Sequence, residues 1–285
     1  MGEAHAVAGQ VSSRRRENDL LLGMFYRVWK HRHLASLLIA RNVEASFRGS
    51  ILGKAWTALV PLLRLAVYTT VLGFILRVKW PGHENRPLDT ALLYFVGLTF
   101  YDFFMEAINA APGLMHDNVN FVKKVVFPLE ILPVSAIGAA LVRLGVTAAI
   151  LLIFFLVIRG APPLASLAIP LIVAPFAFLV LGFVWFLSAL GAYVRDLRQL
   201  MGVVALVTMY LSPIFFPLTM VPARARAFFF VNPLAFPIES TRAALFSGVW
   251  PNWPALAAYA AIAWLVAAAG YRWFLHVKPG FADVV

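Results

Sequence analysis

Two carboxylates, Asp102 and Glu106, stand four residues apart in a stretch otherwise apolar enough to cross a bilayer. On a helix that spacing puts them on one face. Paired acids inside a membrane can carry protons or cations. Alternatively they sit near the outer water boundary, lining a vestibule or pairing with a basic residue, and Asn109 and Pro112 favour that placement. Arg64 and Arg143 each lie about ten residues into another apolar stretch. A lone Arg at the bilayer centre costs roughly 2.5–3.5 kcal/mol on insertion scales. Each Arg either faces a wet pathway or a partner, or snorkels toward an interface, which is hard at that depth.

Other chemistry is missing. Gly49-Ser50-Ile51-Leu52-Gly53-Lys54-Ala55 is the nearest approach to a phosphate-binding loop, but its spacing is wrong and it lacks the hydroxyl residue. His5, His31, His33, His83, His116 and His276 are scattered; His31 and His33 would face apart on a helix, so no metal or other cofactor is expected in this chain. Ser, His and Asp occur without a nucleophile elbow. The chain has no cysteine, which excludes disulfides, thiolate metal sites and a cysteine nucleophile. A membrane-embedded enzyme should show an ordered His/Asp/Glu/Arg cluster on one face, and the sequence spacing shows none.

The elements that must hold these residues follow from composition. Of 285 residues 62% are hydrophobic and 13% charged, with mean hydropathy +0.83. A soluble domain is nearer half apolar and a quarter charged, so lipid is the natural solvent. Six stretches approach the roughly 20 apolar residues of a span: 55–76, 88–111, 134–158, 167–193, 200–220 and 254–275. The expected fold is an all-α integral membrane protein with six transmembrane helices.

The net charge of +11 would suggest nucleic acid in a soluble protein. Here the basic residues gather at the ends and in short loops. With both termini inside, fifteen of the 24 Lys and Arg fall in inner segments and seven in outer ones; Arg64 and Arg143 lie within spans. That bias matches the cytoplasmic face. The Arg-rich start lacks the apolar core of a signal peptide, so the N-terminus is expected to stay. Residues 1–40 read as a cytoplasmic tail and an interfacial amphipathic helix, with Leu21, Phe25, Val28 and Trp29 on one face and Arg27, Lys30, Arg32 and His33 around it. Residues 41–285 read as one membrane domain. Between spans five and six, residues 222–253 are too broken by Pro233, Pro237 and Pro251 to span and too apolar for a plain loop; a protein-shielded re-entrant hairpin satisfies both.

Specific strings add to this. Arg41-Asn42-Val43-Glu44 leads to Phe47-Arg48-Gly49-Ser50-Ile51-Leu52-Gly53-Lys54-Ala55-Trp56 and Val60-Pro61. Asn120-Phe121-Val122-Lys123-Lys124 leads to Phe127-Pro128-Leu129-Glu130. Arg195-Asp196-Leu197-Arg198 precedes Leu211-Ser212-Pro213-Ile214-Phe215-Phe216-Pro217. Asn232-Pro233-Leu234 precedes Ile238-Glu239 and Arg242, and Phe281-Ala282-Asp283-Val284 closes the chain. In this order they resemble the permease subunits of type-2 ATP-binding cassette (ABC) transporters that export O-antigen, capsule or teichoic acid. Arg64 departs from that pattern, where a small or uncharged residue is expected.

The resemblance implies a homodimeric pore in the bacterial inner membrane, bound to two copies of a separate ATPase that holds ATP and Mg. It implies no enzymatic activity in this chain. It places a coupling helix between spans two and three: Asn118, Asn120, Lys123 and Lys124 would supply polar contact, and Phe121, Val122 and Val125 would enter an apolar groove. Lys123 and Lys124 also serve as positive-inside anchors. The resemblance puts short gate helices on the outer side, with Asn232, Pro233, Glu239 and Arg242. The aromatics crowding span two stack on sugar rings or simply meet lipid; Tyr101 and Phe104, with Arg64 and Arg143, are the expected border of the path. The leading reading is export of a lipid-linked polysaccharide, O-antigen first and capsule or teichoic acid next. A type-2 exporter of drugs or small lipids would share the fold, and a proton-coupled carrier would need Asp102 and Glu106.

Overall fold

The computed structural model describes residues 28–45, 50–75, 80, 87–123, 127–222, 224, 226, 229 and 231–285. Leu21 and Phe25 of the amphipathic stretch, and Lys124 and Val125 of the coupling segment, lie outside the described residues. Among the described residues all regular structure is helical, and no strand forms.

Helix α1 (Arg32–Ala45) runs unbroken past residues 40 and 41 and packs on the long helix Ile131–Arg159, its Ile39 against Gly138. Helix α2 (Trp56–Tyr68) passes through Pro61 and continues as a π-helical stretch, Thr69–Ile75. Then come α3 (Pro87–Ala110), the short α4 (Val119–Val122), α5 (Ile131–Arg159), α6 (Ile169–Tyr193), α7 (Leu197–Leu211), α8 (Ala235–Arg242), α9 (Trp253–Val277) and the C-terminal turn α10 (Phe281–Val284).

Four helical stretches are long and apolar enough to cross a bilayer: Leu88–Gly113, Ile131–Arg159, Leu164–Tyr193 and Trp253–Val284. Trp56–Val71 and Leu197–Leu211 are apolar but shorter. Sequence places the fifth stretch at 200–220, whereas α7 ends at Leu211. Pro213 explains this, because it lacks an N–H and excludes the helical conformation from the residue before it.

Helix α3 is the centre of the molecule. Leu92, Val96, Phe100, Phe103 and Ile108 are all buried, although it is the least apolar of the four long stretches. Helix α5 instead exposes Ile153, Leu156 and Val157, and α7 exposes Leu200, Val203, Leu206 and Tyr210. Large exposed apolar faces of this kind suit a lipid or protein neighbour rather than water. Helices α6 and α9 meet through glycines: a Cβ on Gly182 would come within 2.7 Å of the Val266 carbonyl and the Ala267 nitrogen. Small residues let helix backbones approach where lipid gives no hydrophobic drive between helices. Trp185, fully buried on α6, donates from its indole to the Glu130 carbonyl at 3.2 Å and packs on Tyr271. The Glu130 carboxylate accepts from Lys278 at 2.7 Å, so the turn just after α9 is tied to the start of α5.

Candidate functional site

A cavity of about 830 Å³ opens between α2, α3, α5 and α7. Asp102 and Glu106, one turn apart on α3, both face it. Each has a cationic partner from a different neighbour: Arg64 of α2 pairs with Asp102, and Arg143 of α5 pairs with Glu106. The four charges that sequence singles out within apolar stretches are therefore joined across three helices. Their side chains remain a quarter to a half exposed, 46% for Arg64, 37% for Asp102, 25% for Arg143 and 32% for Glu106, so the pairs line the cavity rather than hide behind it. The acids stand about one and two turns from the end of α3 that leads into the 111–123 connection. In sequence, that connection is the one the charge count assigns to the inner side.

Tyr101 also lines the cavity, and its hydroxyl donates to the Ala205 carbonyl of α7 at 3.0 Å. That bond holds α7 against α3 at mid-length. Phe104 does not line the cavity; it is buried, stacked on Phe176 and set edge-on to Phe183 of α6. Trp56, Thr57, Thr99, Asn109 and Thr147 add aromatic, hydroxyl and amide groups to a lining that also holds apolar Val60, Pro61, Met105 and Leu144.

The connection after α3 is made of short turns, Ala111–Gly113 and His116–Asn118, followed by α4. Asp117, Asn120 and Lys123 are exposed there, while Val122 is buried. Phe121 stacks on Phe127 with ring centres 4.5 Å apart and lies under the Arg41 guanidinium of α1 at 5.4 Å. Arg41 also donates to the Asn118 side-chain oxygen at 3.0 Å, and Asn118 donates to the Leu114 carbonyl at 2.9 Å. From α7, Arg198 donates to the Gly113 carbonyl and to Asp117. Gly113 has a reason to be glycine, since a Cβ there would stand 2.7 Å from the Arg198 guanidinium carbon. Sequence flags Arg41 and Arg198 only as parts of longer strings; Asp117 carries no signal of its own.

At the opposite end the chain re-enters between α7 and α9. Arg242 of α8 is 4% exposed and its guanidinium makes four hydrogen bonds. It donates to the carbonyls of Leu93 at 3.0 Å, Pro213 at 2.5 Å and Ile214 at 2.7 Å, and to Glu239 at 3.2 Å. The ring of Trp80 lies 4.7 Å from it. The break at Pro213 leaves carbonyls that no helix can satisfy, and buried backbone groups must be paired; Arg242 pairs them. Gly97 makes room, because a Cβ there would sit 2.8 Å from the guanidinium. Asn232 donates to the Leu211 carbonyl at 2.8 Å and to Ser212 at 3.0 Å, and its side-chain oxygen accepts from the Leu234 amide at 2.8 Å. The Pro233 carbonyl accepts from Tyr259 of α9 at 2.8 Å. Asn232, Pro233, Glu239 and Arg242 thus gather at one end of the bundle, away from the Asn118–Lys123 cluster at the other. Arg159 adds an ion pair with buried Asp89 at 3.5 Å, which sequence does not foresee.

A helical membrane bundle with a charge-lined cavity, a structured connection at one end and a re-entrant segment at the other defines a transport protein. Residues 33–246 match the family described as ABC-2 type transporter, and the chain belongs to that family. It is a transport subunit without a catalytic or nucleotide-binding domain of its own, and membership implies a partner ATPase subunit. The chain is 24% identical over 267 residues to the O-antigen export system permease protein RfbA of Myxococcus xanthus, covering 93% of this chain and 100% of that relative. Two proteins of the same name from Klebsiella pneumoniae are each 23% identical over 257 residues, covering 89% of this chain and 96% of their own.

Proposed function

We propose that the chain is the membrane-spanning subunit of an ABC exporter that moves a lipid-linked, O-antigen-like polysaccharide across the bacterial inner membrane. The observation that carries this reading is the cavity: a largely apolar, aromatic-edged space with two ion pairs in its wall, between α2, α3, α5 and α7, in a chain similar over nearly its whole length to O-antigen export permeases. Arg64, Arg143 and Tyr101 border the path. A homodimer with two copies of an ATPase that binds ATP and Mg completes the machine. The exposed apolar faces of α2 and α7 flank the cavity and suit a second copy, which would turn two half-open cavities into one conduit.

In this reading α2 and α7 are the first and fifth of six spans, both termini are cytoplasmic, residues 1–40 supply the tail and interfacial helix, and residues 41–285 form the permease domain. Asn118, Asn120, Phe121, Val122, Lys123 and Lys124 dock on the ATPase; the exposure of Asn120 and Lys123 supports this. Asn232, Pro233, Glu239 and Arg242 belong to the outer gate, supported by their concentration around the re-entrant break.

The test is reconstitution in vesicles with its partner ATPase subunit. ATP-dependent movement of a lipid-linked glycan is the expected result. A complex that moves small apolar lipids but no glycan would favour the drug- or lipid-exporter reading instead.

A further inference from the structure

The glycan reading leaves open whether the polymer is neutral or polyanionic. The cavity carries information on this point. Among its described lining residues the charged ones are Arg64, Arg143, Asp102 and Glu106, and they sum to zero. They are not spread around the wall as free charges; each guanidinium lies against its own carboxylate.

We propose that this double ion pair makes the cavity selective for an electrically neutral, hydroxyl-rich chain and against a polyanionic one. The inference rests on the polysaccharide reading and adds the class of polymer. An anion approaching either pair meets attraction from the guanidinium and repulsion from the carboxylate at nearly equal distance, so the two largely cancel. To bind a guanidinium directly it must displace the carboxylate, leaving Asp102 or Glu106 without its counter-charge in the half-enclosed cavity wall. A sugar hydroxyl faces no such conflict, because it donates to a carboxylate and accepts from a guanidinium at once. Thr57, Asn109 and Thr147 offer further groups of the same dual kind, and Trp56 and Tyr101 supply flat apolar faces. Arg64, which sequence marks as out of place, is on this account the counter-charge that keeps Asp102 from making the wall acidic.

The experiment uses the full permease–ATPase complex in lipid nanodiscs and two soluble probes: maltohexaose, and the same hexasaccharide with its primary hydroxyls oxidised to carboxylates. Equilibrium binding of each is measured for wild type, for Asp102→Asn with Glu106→Gln, and for Arg64→Asp with Asp102→Arg. Wild type is expected to bind the neutral probe at least about tenfold more tightly. The amide variant, with two unopposed guanidiniums, is expected to shift the ratio toward the anionic probe by at least about tenfold. The charge-swapped pair is expected to keep the neutral preference. A wild-type preference for the anionic probe, or a ratio unchanged in the amide variant, overturns the inference. If neither probe binds while the complex still exports glycan, the cavity is not the selective element and the inference again falls, although the exporter reading stands. Loss of glycan export itself would defeat that reading separately.

Discussion

Arg198 and Asp117 meet at 2.7 Å, joining the foot of α7 to the connection between α3 and α5. Arg198 also holds the Gly113 carbonyl at 3.0 Å. Helix α7 is otherwise lightly secured: Leu197 and Met201 are its buried residues, and Tyr101 and Asn232 bond to its backbone further along. A displacement of the connection would therefore reach α7, and α7 forms one wall of the cavity.

Arg198→Ala is accordingly expected to reduce export about tenfold while ATP hydrolysis by the complex continues. Both partners are largely exposed, 47% and 63%, so the loss of folding stability should stay below about 1 kcal/mol. The charge-swapped variant, Arg198→Asp with Asp117→Arg, should recover part of the export. Equal loss of hydrolysis and export in Arg198→Ala would show a general assembly defect instead.

The cavity pairs predict a different pattern. Arg143→Ala leaves Glu106 without its counter-charge, and because the pair is only partly buried the cost should be about 1–3 kcal/mol, below the range for a fully buried pair. Removing both charges together, Arg143→Met with Glu106→Leu, should restore the thermal midpoint in detergent. Glycan export should remain impaired in the double variant. A double variant less stable than Arg143→Ala would contradict this account of the pair.

Arg242 is a shape requirement as much as a charge. Lysine keeps the charge but cannot reach four oxygens in a planar fork. Arg242→Lys should lower stability by about 2–4 kcal/mol through unpaired carbonyls at Leu93, Pro213 and Ile214. Thermal unfolding of Arg242→Lys beside Arg242→Ala checks this; full recovery by lysine would mean that charge alone matters.

The α6–α9 crossing gives a control within one chemistry. Gly182→Ala puts a methyl group 2.7 Å from the backbone of Val266 and Ala267 and should cost about 1–3 kcal/mol. Gly202→Ala on α7 meets nothing within 4 Å and should be neutral or stabilising by up to about 1 kcal/mol. Equal thermal midpoints for the two variants would argue against the close approach.

Much of the architecture is legible in the sequence because lipid restricts it. Long apolar stretches have few alternatives to helix, and a charge within one stands out: Arg64, Asp102, Glu106 and Arg143 are visible for that reason. Their pairing is not, because it depends on how α2, α3 and α5 rotate about their axes. Tyr101 and Phe104 show the same limit. They are three residues apart on one helix, yet the hydroxyl takes Tyr101 to a carbonyl of α7 while Phe104 packs into α6. The early end of α7 was readable at Pro213, where apolar composition alone continues past a residue that helix geometry cannot accept. The Arg198–Asp117 contact spans 81 residues of sequence and has no local signature.

The most direct measurement is site-specific photocrosslinking of a glycan in transit. The photoreactive residue would be placed at Thr147, which lines the cavity, and separately at Ile153, which is 57% exposed on the outer face of α5. In the working complex with ATP, the account predicts glycan-bearing adducts at position 147 and none above background at position 153. Adducts at 153 equal to those at 147, or none at 147 while export proceeds, would contradict it.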